Sequence, residues 1–189
     1  MACTGTYAEQ CLVDVSDIFP LPDNITFAQG AALGVPYGTA HRALFIKGKA
    51  HKGQSVLIHG ATGGVGIAAV QLAKAAGLKV IATGGTEEGL KLLSELGAEV
   101  TANHRKEGDV AEVKAATGGK GVDLIIEMAA HANLGKDLPL LSHGGSVVVV
   151  GSRGKEAPLA GATELYLFVS WLAMLYHWDS PCDRCHSPC

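Results

Sequence analysis

The middle of this chain shows two different patterns of apolar and polar positions. Short, nearly continuous apolar runs predict β-strands at 55–59, 78–82, 98–102, 122–127 and 146–150. Between the runs, apolar residues recur every three or four positions, which predicts helices near 64–77, 86–96, 108–117 and 132–142. Nearly continuous apolar strands are typical of a sheet whose two faces are covered by helices. The alternation therefore predicts an α/β fold with a doubly wound parallel Rossmann sheet.

The segments that flank this repeat follow other patterns. Before it, a weakly alternating, proline-containing stretch predicts remnants of strands, and Thr26 is a candidate N-cap for a short helix. Pro36 is expected to interrupt that helix, with a second helical run at residues 39–46. After the repeat, the strongly apolar run at residues 165–178 is shorter than a membrane span of about 20 residues. We expect this run to be an exposed apolar segment that drives association.

The first predicted strand leads into a glycine-rich turn and then directly into an amphipathic helix. The turn carries four glycines, Gly60, Gly63, Gly64 and Gly66. Dinucleotide-binding proteins need this order, because bare backbone must approach the pyrophosphate. The helix N-terminus then faces the anion with free N–H groups and a favourable dipole. A glycine-rich turn that binds nothing is the alternative, but the complete strand–turn–helix–strand context favours a dinucleotide site.

The residues after the second predicted strand bear on the choice of cofactor. NAD-binding sites of this type place an Asp or Glu about 20 residues after the first glycine, where it binds the ribose 2′-hydroxyl. Here residues 83–86 are Thr-Gly-Gly-Thr and contain no acid. Small neutral residues leave room for a 2′-phosphate, so the sequence favours NADPH over NADH. Glu87 and Glu88 come one turn later, and we interpret them as favourable charges at a helix N-terminus.

Three further groups follow predicted strands, at the edge of the sheet where ligands bind. His104 and Arg105 come after the third strand, Asn133 comes after the fourth, and residues 151–153 come after the fifth. An N-cap role is the alternative for Asn133, and a plain surface loop is the alternative for the others.

Composition narrows the classes of protein that fit. The chain has 189 residues, of which 48% are apolar and only 17% are charged, and it contains 25 glycines. This balance suits a buried parallel sheet with tight turns. The net charge of −3 gives no electrostatic reason to expect a nucleic acid or an anionic membrane as partner.

The five cysteines lie near the two ends of the sequence, and its first residues show no charged leader followed by an apolar run. We therefore expect a reduced, cytoplasmic setting rather than a disulfide framework. Cys182, Cys185 and Cys189 have the spacing of a metal or haem site, but the residues around them predict no supporting fold, so no metal site is expected. No serine or cysteine is accompanied by a plausible base, and the catalytic residue stays unassigned.

Several short sequence motifs, taken together, resemble those of a known family. Over residues 7–153 the chain is similar to the zeta-crystallin-like quinone oxidoreductases of the medium-chain dehydrogenase/reductase superfamily. The matching strings are residues 30–40, 59–66, 84–89, 103–105, 125–128, 133–134, 141–145 and 149–154. As a set they are far more specific than the glycine turn alone.

The resemblance implies NADPH-dependent reduction of a quinone or enone without zinc, in a homo-oligomer. The cofactor contacts of the family fall on positions that all carry compatible residues: Thr62, Gly63, Gly64, Val65, Gly85, His104, Asn133, Val150, Gly151, Ser152 and Arg153. RNA binding comes by family analogy only, and the net charge of −3 argues against it.

The resemblance also divides the chain. It implies that residues 1–34 are a remnant of the family's GroES-like catalytic domain with its linking helix. Residues 35–153 are then the dinucleotide-binding Rossmann domain, and residues 154–189 a divergent apolar, cysteine-containing tail. In the family, the GroES-like domain forms the other wall of the active-site cleft. Because the resemblance leaves only a remnant of that domain here, we expect a truncated form. A cofactor-binding isoform with little or no turnover and an RNA-binding protein are the alternatives to an active quinone oxidoreductase.

Overall fold

The computed structural model of the protein describes residues 8–106 and 109–152. The expectations for Arg153 and for the apolar tail at residues 154–189 lie outside this part of the chain. In the described ranges, no helix is both long enough and apolar enough to cross a membrane.

Among the described residues, five strands form one parallel sheet. They are β1 (Ser55–Ile58), β2 (Lys79–Gly84), β3 (Val100–Asn103), β4 (Val122–Glu127) and β5 (Leu141–Val149). Their spatial order is β3-β2-β1-β4-β5, and every neighbouring pair is parallel. The doubly wound parallel sheet that the alternation predicts is therefore confirmed.

The part of the chain that the structure describes also contains six α-helices. They are α1 (Phe27–Ala31), α2 (Gly34–His41), α3 (Gly64–Ala75), α4 (Glu87–Glu95), α5 (Asp109–Ala116) and α6 (Ala130–Asp137). The α2 helix continues as a π-helical segment, Arg42–Lys47, and two short 3-10 segments lie at Val15–Asp17 and Leu138–Leu140. As predicted, Thr26 caps α1, and it does so in a capping box with Gln29.

The central strand β1 contacts β2 on one side and β4 on the other. Leu57, for example, pairs with Ile81 in β2 and with Ile125 in β4. The strand order reverses between β1 and β4. The chain leaving β1 continues to β2 on one side, and the chain leaving β4 continues to β5 on the other side. In open parallel sheets, this reversal leaves a crevice in which ligands bind.

Alternate residues of the strands feed two hydrophobic clusters, one on each face of the sheet. Val56 and Ile58 of β1 face a cluster that includes side chains of α2, α3 and α4. Leu57 faces the opposite cluster, together with Val113 of α5 and Leu140. Both faces of β1 are thus buried, which explains why its sequence is apolar without interruption.

Two expectations for the first part of the chain are wrong. Residues 8–26 form no strand, because they lie beside no other strand with which they could form a hydrogen-bonded ladder. Pro36 does not interrupt a helix but occupies the first turn of α2. Proline is tolerated there, since the first N–H groups of a helix have no partner within the helix.

One boundary near the end of the described chain also differs from the prediction at 132–142. The α6 helix begins at Ala130 and ends at Asp137, and Leu141 already belongs to β5. Pro139 lies between them and cannot donate the hydrogen bond that would continue an α-helix.

The approach of α3 to the end of β1 gives a first prediction. A Cβ at Gly66 would lie 2.5 Å from Cα of Ala61, a distance that backbone atoms cannot relieve without a shift of the helix. Gly66→Ala is expected to lower the free energy of unfolding by about 2 kcal/mol or more, as overpacking does. Urea unfolding followed by circular dichroism measures the change.

The control is Gly38→Ala in α2, where an added Cβ would meet no atom within 4 Å. That change is expected to stabilise the protein by about 0.5–1 kcal/mol, because alanine is the better helix former. Equal effects at the two positions would contradict this account of the packing of α3.

Candidate functional site

The turn between β1 and α3 is held in place by two of its glycines. Gly60 has a φ of +56°, a left-handed conformation that glycine adopts without strain. Its N–H donates to Oγ1 of Thr83 at 3.2 Å, which joins the turn to β2. Gly66 permits the close approach to Ala61 described above. The fold itself therefore requires glycine at positions 60 and 66.

The fold does not require glycine at positions 63 and 64, which lie at the N-terminus of α3. Gly63 caps the helix with a φ of −78°, which any residue adopts, and no side chain caps this helix end. A Cβ on Gly63 would meet nothing closer than the carbonyl oxygen of Gly60 at 3.5 Å. One on Gly64 would meet nothing closer than Pro36 at 3.6 Å. Both glycines are exposed. The N–H of Gly63 donates to the carbonyl of Gly60 at 3.1 Å, whereas the first N–H groups of α3 have no acceptor within the helix, an arrangement that suits an anion.

Gly85 lies just beyond β2, against two basic side chains from the loop after β3. A Cβ on Gly85 would fall 2.9 Å from Nε of Arg105 and 3.1 Å from Nε2 of His104. The N–H of Arg105 donates to Oδ1 of Asn103 at 3.0 Å and so fixes the start of this loop. The Arg105 guanidinium and the His104 imidazole therefore lie beside the end of β2, at the position where NAD-binding sites of this type carry an Asp or Glu.

A cavity of about 330 Å³ opens at this edge, between the ends of β1, β2 and β4 and helix α6. Its lining includes two of the predicted cofactor residues, His104 and Asn133. Asn133 is the fourth residue of α6 and not its N-cap, which is Ala129. The N-cap alternative for Asn133 is therefore wrong.

The residues after β5 lie beside the end of β4 and the start of α6. The N–H of Val150 donates to the carbonyl of Glu127 at 2.7 Å. The N–H of Ala130 donates to the carbonyl of Gly151 at 3.0 Å. These bonds bring the chain after the fifth strand to the same edge as the glycine turn.

The structure thus places the predicted cofactor residues that it describes along one edge of the sheet. Thr62 and Ser152 are exposed there. Val65 and Val150 are half-buried and pack against the core below the edge. Arg153, the last of the predicted set, lies outside the described residues.

A buried hydrogen-bond network, which the sequence analysis missed, lies beneath this edge. Nε2 of His59 and Oδ1 of Asp137 are 2.8 Å apart, and Nδ1 of His59 lies 3.3 Å from Oγ1 of Thr83. Oε2 of Glu127 lies 3.8 Å from Nε2 of His59. All four residues are buried. Thr83 is thus buried in this network, and it also contributes to the lining of the cavity.

The sequence carried only a weak signal of this network. His59 directly follows the apolar run of β1, and Glu127 ends the apolar run of β4. Asp137 lies 78 residues from His59, in a helix whose sequence gives no sign that this carboxylate is buried. The signal that could have indicated the network is an ionisable residue at the end of an apolar strand, as at His59 and Glu127.

Burial controls the charge of Glu127. Burial raises the pKa of Glu127 to about 7, because the ionised carboxylate would lose its hydration; the charge of His59 opposes this rise and that of Asp137 adds to it. Within the described ranges, Oε2 of Glu127 and Oδ2 of Asp137 have no hydrogen-bond partner. A proton on one of these carboxyl groups reduces the cost of burying both.

His59, Glu127 and Asp137 are also the one group of described residues whose ligand atoms lie close enough to suggest a metal, all within 4.8 Å of one another. Two ligands of a tetrahedral zinc are about 3.3 Å apart, given metal–ligand bonds of about 2.0–2.1 Å. The 2.8 Å between His59 and Asp137 is shorter than this and is the length of a charge-assisted hydrogen bond. The three residues therefore fit a proton-sharing network and not a zinc site.

The sheet order, the glycine turn and the helix N-terminus at the switch point define the class of Rossmann-type α/β folds. The sequence model of the family described as zinc-binding dehydrogenase matches residues 64–176. The chain belongs to this family, within the medium-chain dehydrogenase/reductase superfamily.

Comparison with individual proteins confirms the resemblance. The chain is 53% identical to a quinone oxidoreductase of Pongo abelii over 171 residues, which cover 85% of this chain and 52% of that protein. Its fold matches the crystal structure of an NAD-dependent alcohol dehydrogenase with a TM-score of 0.76 and 31% identity, over 82% of this chain and 46% of the other. It also matches a mycobacterial protein complexed with NADPH, with a TM-score of 0.65 and 29% identity, over 70% of this chain and 42% of the other. The chain spans about half the length of the curated relatives it matches.

The raised pKa of Glu127 predicts a pH-dependent stability. The ordinary value is 4.5 and the folded value is about 7, so between them the folded protein holds a proton that the unfolded chain has lost. The free energy of unfolding therefore falls as pH rises through this window, by at most about 3 kcal/mol from this group. Glu127→Gln cannot ionise, so its stability relative to that of the wild type should rise between about pH 5 and pH 7 and level off above about pH 8. Urea unfolding at a series of pH values measures this difference.

The matched control is Glu88→Gln, which removes the same charge from an exposed position in the first turn of α4. Its stability difference from the wild type should stay flat across the same pH series. A flat difference for Glu127→Gln as well would show that the buried carboxyl does not retain its proton.

Proposed function

We propose that this chain binds NADPH at the carboxyl edge of its sheet and supplies the cofactor-binding part of a quinone oxidoreductase. The observation that carries the proposal is the pair of glycines at the start of α3. Neither backbone conformation nor packing requires glycine at positions 63 and 64. The absence of side chains there leaves room for a ligand to approach the backbone.

The residues present fit such a cofactor. The pyrophosphate would lie against the N–H groups of the segment 62–65, where the dipole of α3 favours negative charge. Gly85, His104 and Asn133 would line one side of the cofactor, and residues 150–153 would line the other. This assignment is supported by their common position at one edge of the sheet, and by the NADPH complex of a structural relative.

The preference for NADPH over NADH rests on charge. The two residues directly after β2 are Gly85 and Thr86, neither of which is acidic, and the Arg105 side chain lies against Gly85 at that strand's end. A guanidinium pairs well with a phosphate, whereas a ribose 2′-hydroxyl gains little from it. Arg105 is thus a proposed binding residue beyond the set that the family resemblance implies.

When bound, the nicotinamide supplies the hydride that reduces a quinone or enone, while the protein supplies position and electrostatics. We propose that the reaction is independent of zinc, consistent with the hydrogen-bonded geometry of His59, Glu127 and Asp137. Cofactor binding and turnover are separate proposals, because the chain spans about half the length of its relatives.

The remaining expectations stand as parts of this proposal. We assign residues 1–34 to a remnant of a GroES-like domain and its linking helix, 35–153 to the dinucleotide-binding domain and 154–189 to a divergent tail. We propose a small-molecule quinone or enone substrate, a cytoplasmic location and assembly into a homo-oligomer. These assignments rest on family similarity.

Titration with NADPH, followed by its fluorescence, tests the binding proposal, and oxidation of NADPH in the presence of a p-benzoquinone tests turnover. Saturable binding with turnover supports the full proposal. Saturable binding without turnover favours the isoform that only binds cofactor. Absence of binding at millimolar NADPH in a folded protein would overturn both.

Gly63→Val is expected to abolish NADPH binding while the protein stays folded. A branched side chain there fills the space that the pyrophosphate needs, yet meets little of the protein itself. The measurements are the NADPH titration and the circular dichroism spectrum. Gly38→Val, on the open surface of α2, is the control and should bind NADPH like the wild type. Unchanged affinity in folded Gly63→Val would show that the glycine turn is only a turn.

Arg105→Gln is expected to weaken NADPH binding about tenfold or more, because it removes a charge-assisted contact with the 2′-phosphate. The dissociation constant for NADH should stay within about twofold of the wild-type value. Arg42→Gln removes the same charge from an exposed position on the π-helical segment and is the matched control. Equal losses for the two cofactors would place Arg105 away from the 2′-phosphate.

A further inference from the structure

We propose that Glu127 is a positioning residue for the cofactor: it fixes the side-chain amide of Asn133 so that the Asn133 carbonyl oxygen faces the cavity as a hydrogen-bond acceptor. The proposal deepens the proposed function and rests on it. It also specifies the chemistry of the contact. Asn133 would accept a hydrogen bond from a hydroxyl or amino group of the dinucleotide.

The hydrogen bonds of one carboxylate oxygen decide which way the amide faces. Oε1 of Glu127 accepts from the backbone N–H of Ala129. Because that N–H can only donate, Oε1 serves as an acceptor whether or not the carboxyl holds a proton on its other oxygen. Nδ2 of Asn133 lies 3.2 Å from the same Oε1, so the NH2 end of the amide must be the end that faces Glu127. The carbonyl oxygen of Asn133 is then turned away from Glu127, on a side chain that lines the cavity.

The surrounding network keeps Glu127 from turning away. Its side chain is fully buried at the end of β4, and Oε2 lies 3.8 Å from Nε2 of His59. His59 is itself fixed from two sides, by Asp137 at 2.8 Å and by Thr83 at 3.3 Å. Thr83 also accepts from the N–H of Gly60 in the glycine turn. Hydrogen bonds therefore link the glycine turn to His59 and Asp137, and the 3.8 Å contact between His59 and Glu127 places this network beside the carboxyl group that holds Asn133.

A double-mutant cycle tests whether Glu127 acts through Asn133. Its variants are Glu127→Met, Asn133→Ala and the combination, and its readout is the dissociation constant for NADPH. Methionine fills a similar volume but cannot accept the hydrogen bond. Each single variant is expected to bind about tenfold more weakly, and the double variant also about tenfold, because the second change removes nothing further. Glu127→Gln keeps an acceptor oxygen and is expected to bind within about threefold of the wild type.

Asp123→Asn is the matched control, since it alters a carboxylate on the same strand at the opposite edge of the sheet. There Asp123 accepts from Ser55 and Ser142. Its dissociation constant for NADPH should equal that of the wild type.

A second measurement does not depend on whether Glu127→Met folds. The side-chain amide resonances of Asn133 in a nitrogen–proton correlation spectrum should move with pH between about 6 and 8 in the wild type, where burial places the pKa of Glu127 near 7. They should stay fixed, or nearly so, in Glu127→Gln. His59 and Asp137 face Glu127, and His104 and Lys136 line the same cavity. All four remain in that variant, so the difference between the two spectra isolates Glu127.

The outcomes separate this proposal from the one on which it rests. No binding of NADPH by the folded wild type overturns both. Binding with additive losses, about a hundredfold in the double variant, overturns the positioning role alone. So does an unchanged affinity in Asn133→Ala, a loss in Glu127→Gln as large as in Glu127→Met, or an Asn133 signal that follows pH equally in the wild type and Glu127→Gln.

Discussion

The contact between the first turn of α3 and Ala61, in the turn after β1, fixes how the helix leaves the sheet. Gly66 brings the helix so close to Ala61 that no Cβ fits between them, and this closeness aims the helix N-terminus at the switch point of the sheet. A helix farther from the strand would present its free N–H groups elsewhere. The position of the proposed anion site is therefore a consequence of backbone packing as well as of the local glycine content.

Beneath that edge the protein buries three ionisable groups at the ends of its two central strands and in the following helix. Burying such groups is costly unless each is paired or neutral. Here the cost is reduced by a short hydrogen bond between His59 and Asp137 and by retention of a proton near Glu127. The result is a buried polar layer between the apolar core and the proposed ligand-binding surface. Such a layer tolerates few geometries, so it orients whatever polar groups contact it.

Much of the fold could be predicted because strands and helices leave local marks. The apolar runs gave all five strands, and the glycines gave the turn before α3. Pro36 was misjudged because a proline is a helix breaker in the interior but harmless in the first turn, and the pattern alone does not locate the first turn. The network could not be predicted, since His59 and Asp137 meet only through the sheet topology, 78 residues apart. The position of Asn133 within α6 depended in turn on a helix start that sequence patterns locate poorly.

The glycine turn is also in contact with the first part of the chain. Pro36 lies beside Gly64, and the hydroxyl of Tyr37 donates to Oε1 of Gln71 on α3, so α2 and α3 share one packed surface. A molecule that orders the turn thereby restrains α2 as well, and part of its binding free energy is spent in suppressing local opening there. Amide protons of α2 would then exchange more slowly in the complex, although none of them need touch the ligand. Binding at the edge of the sheet could then be detected in α2, away from the ligand itself.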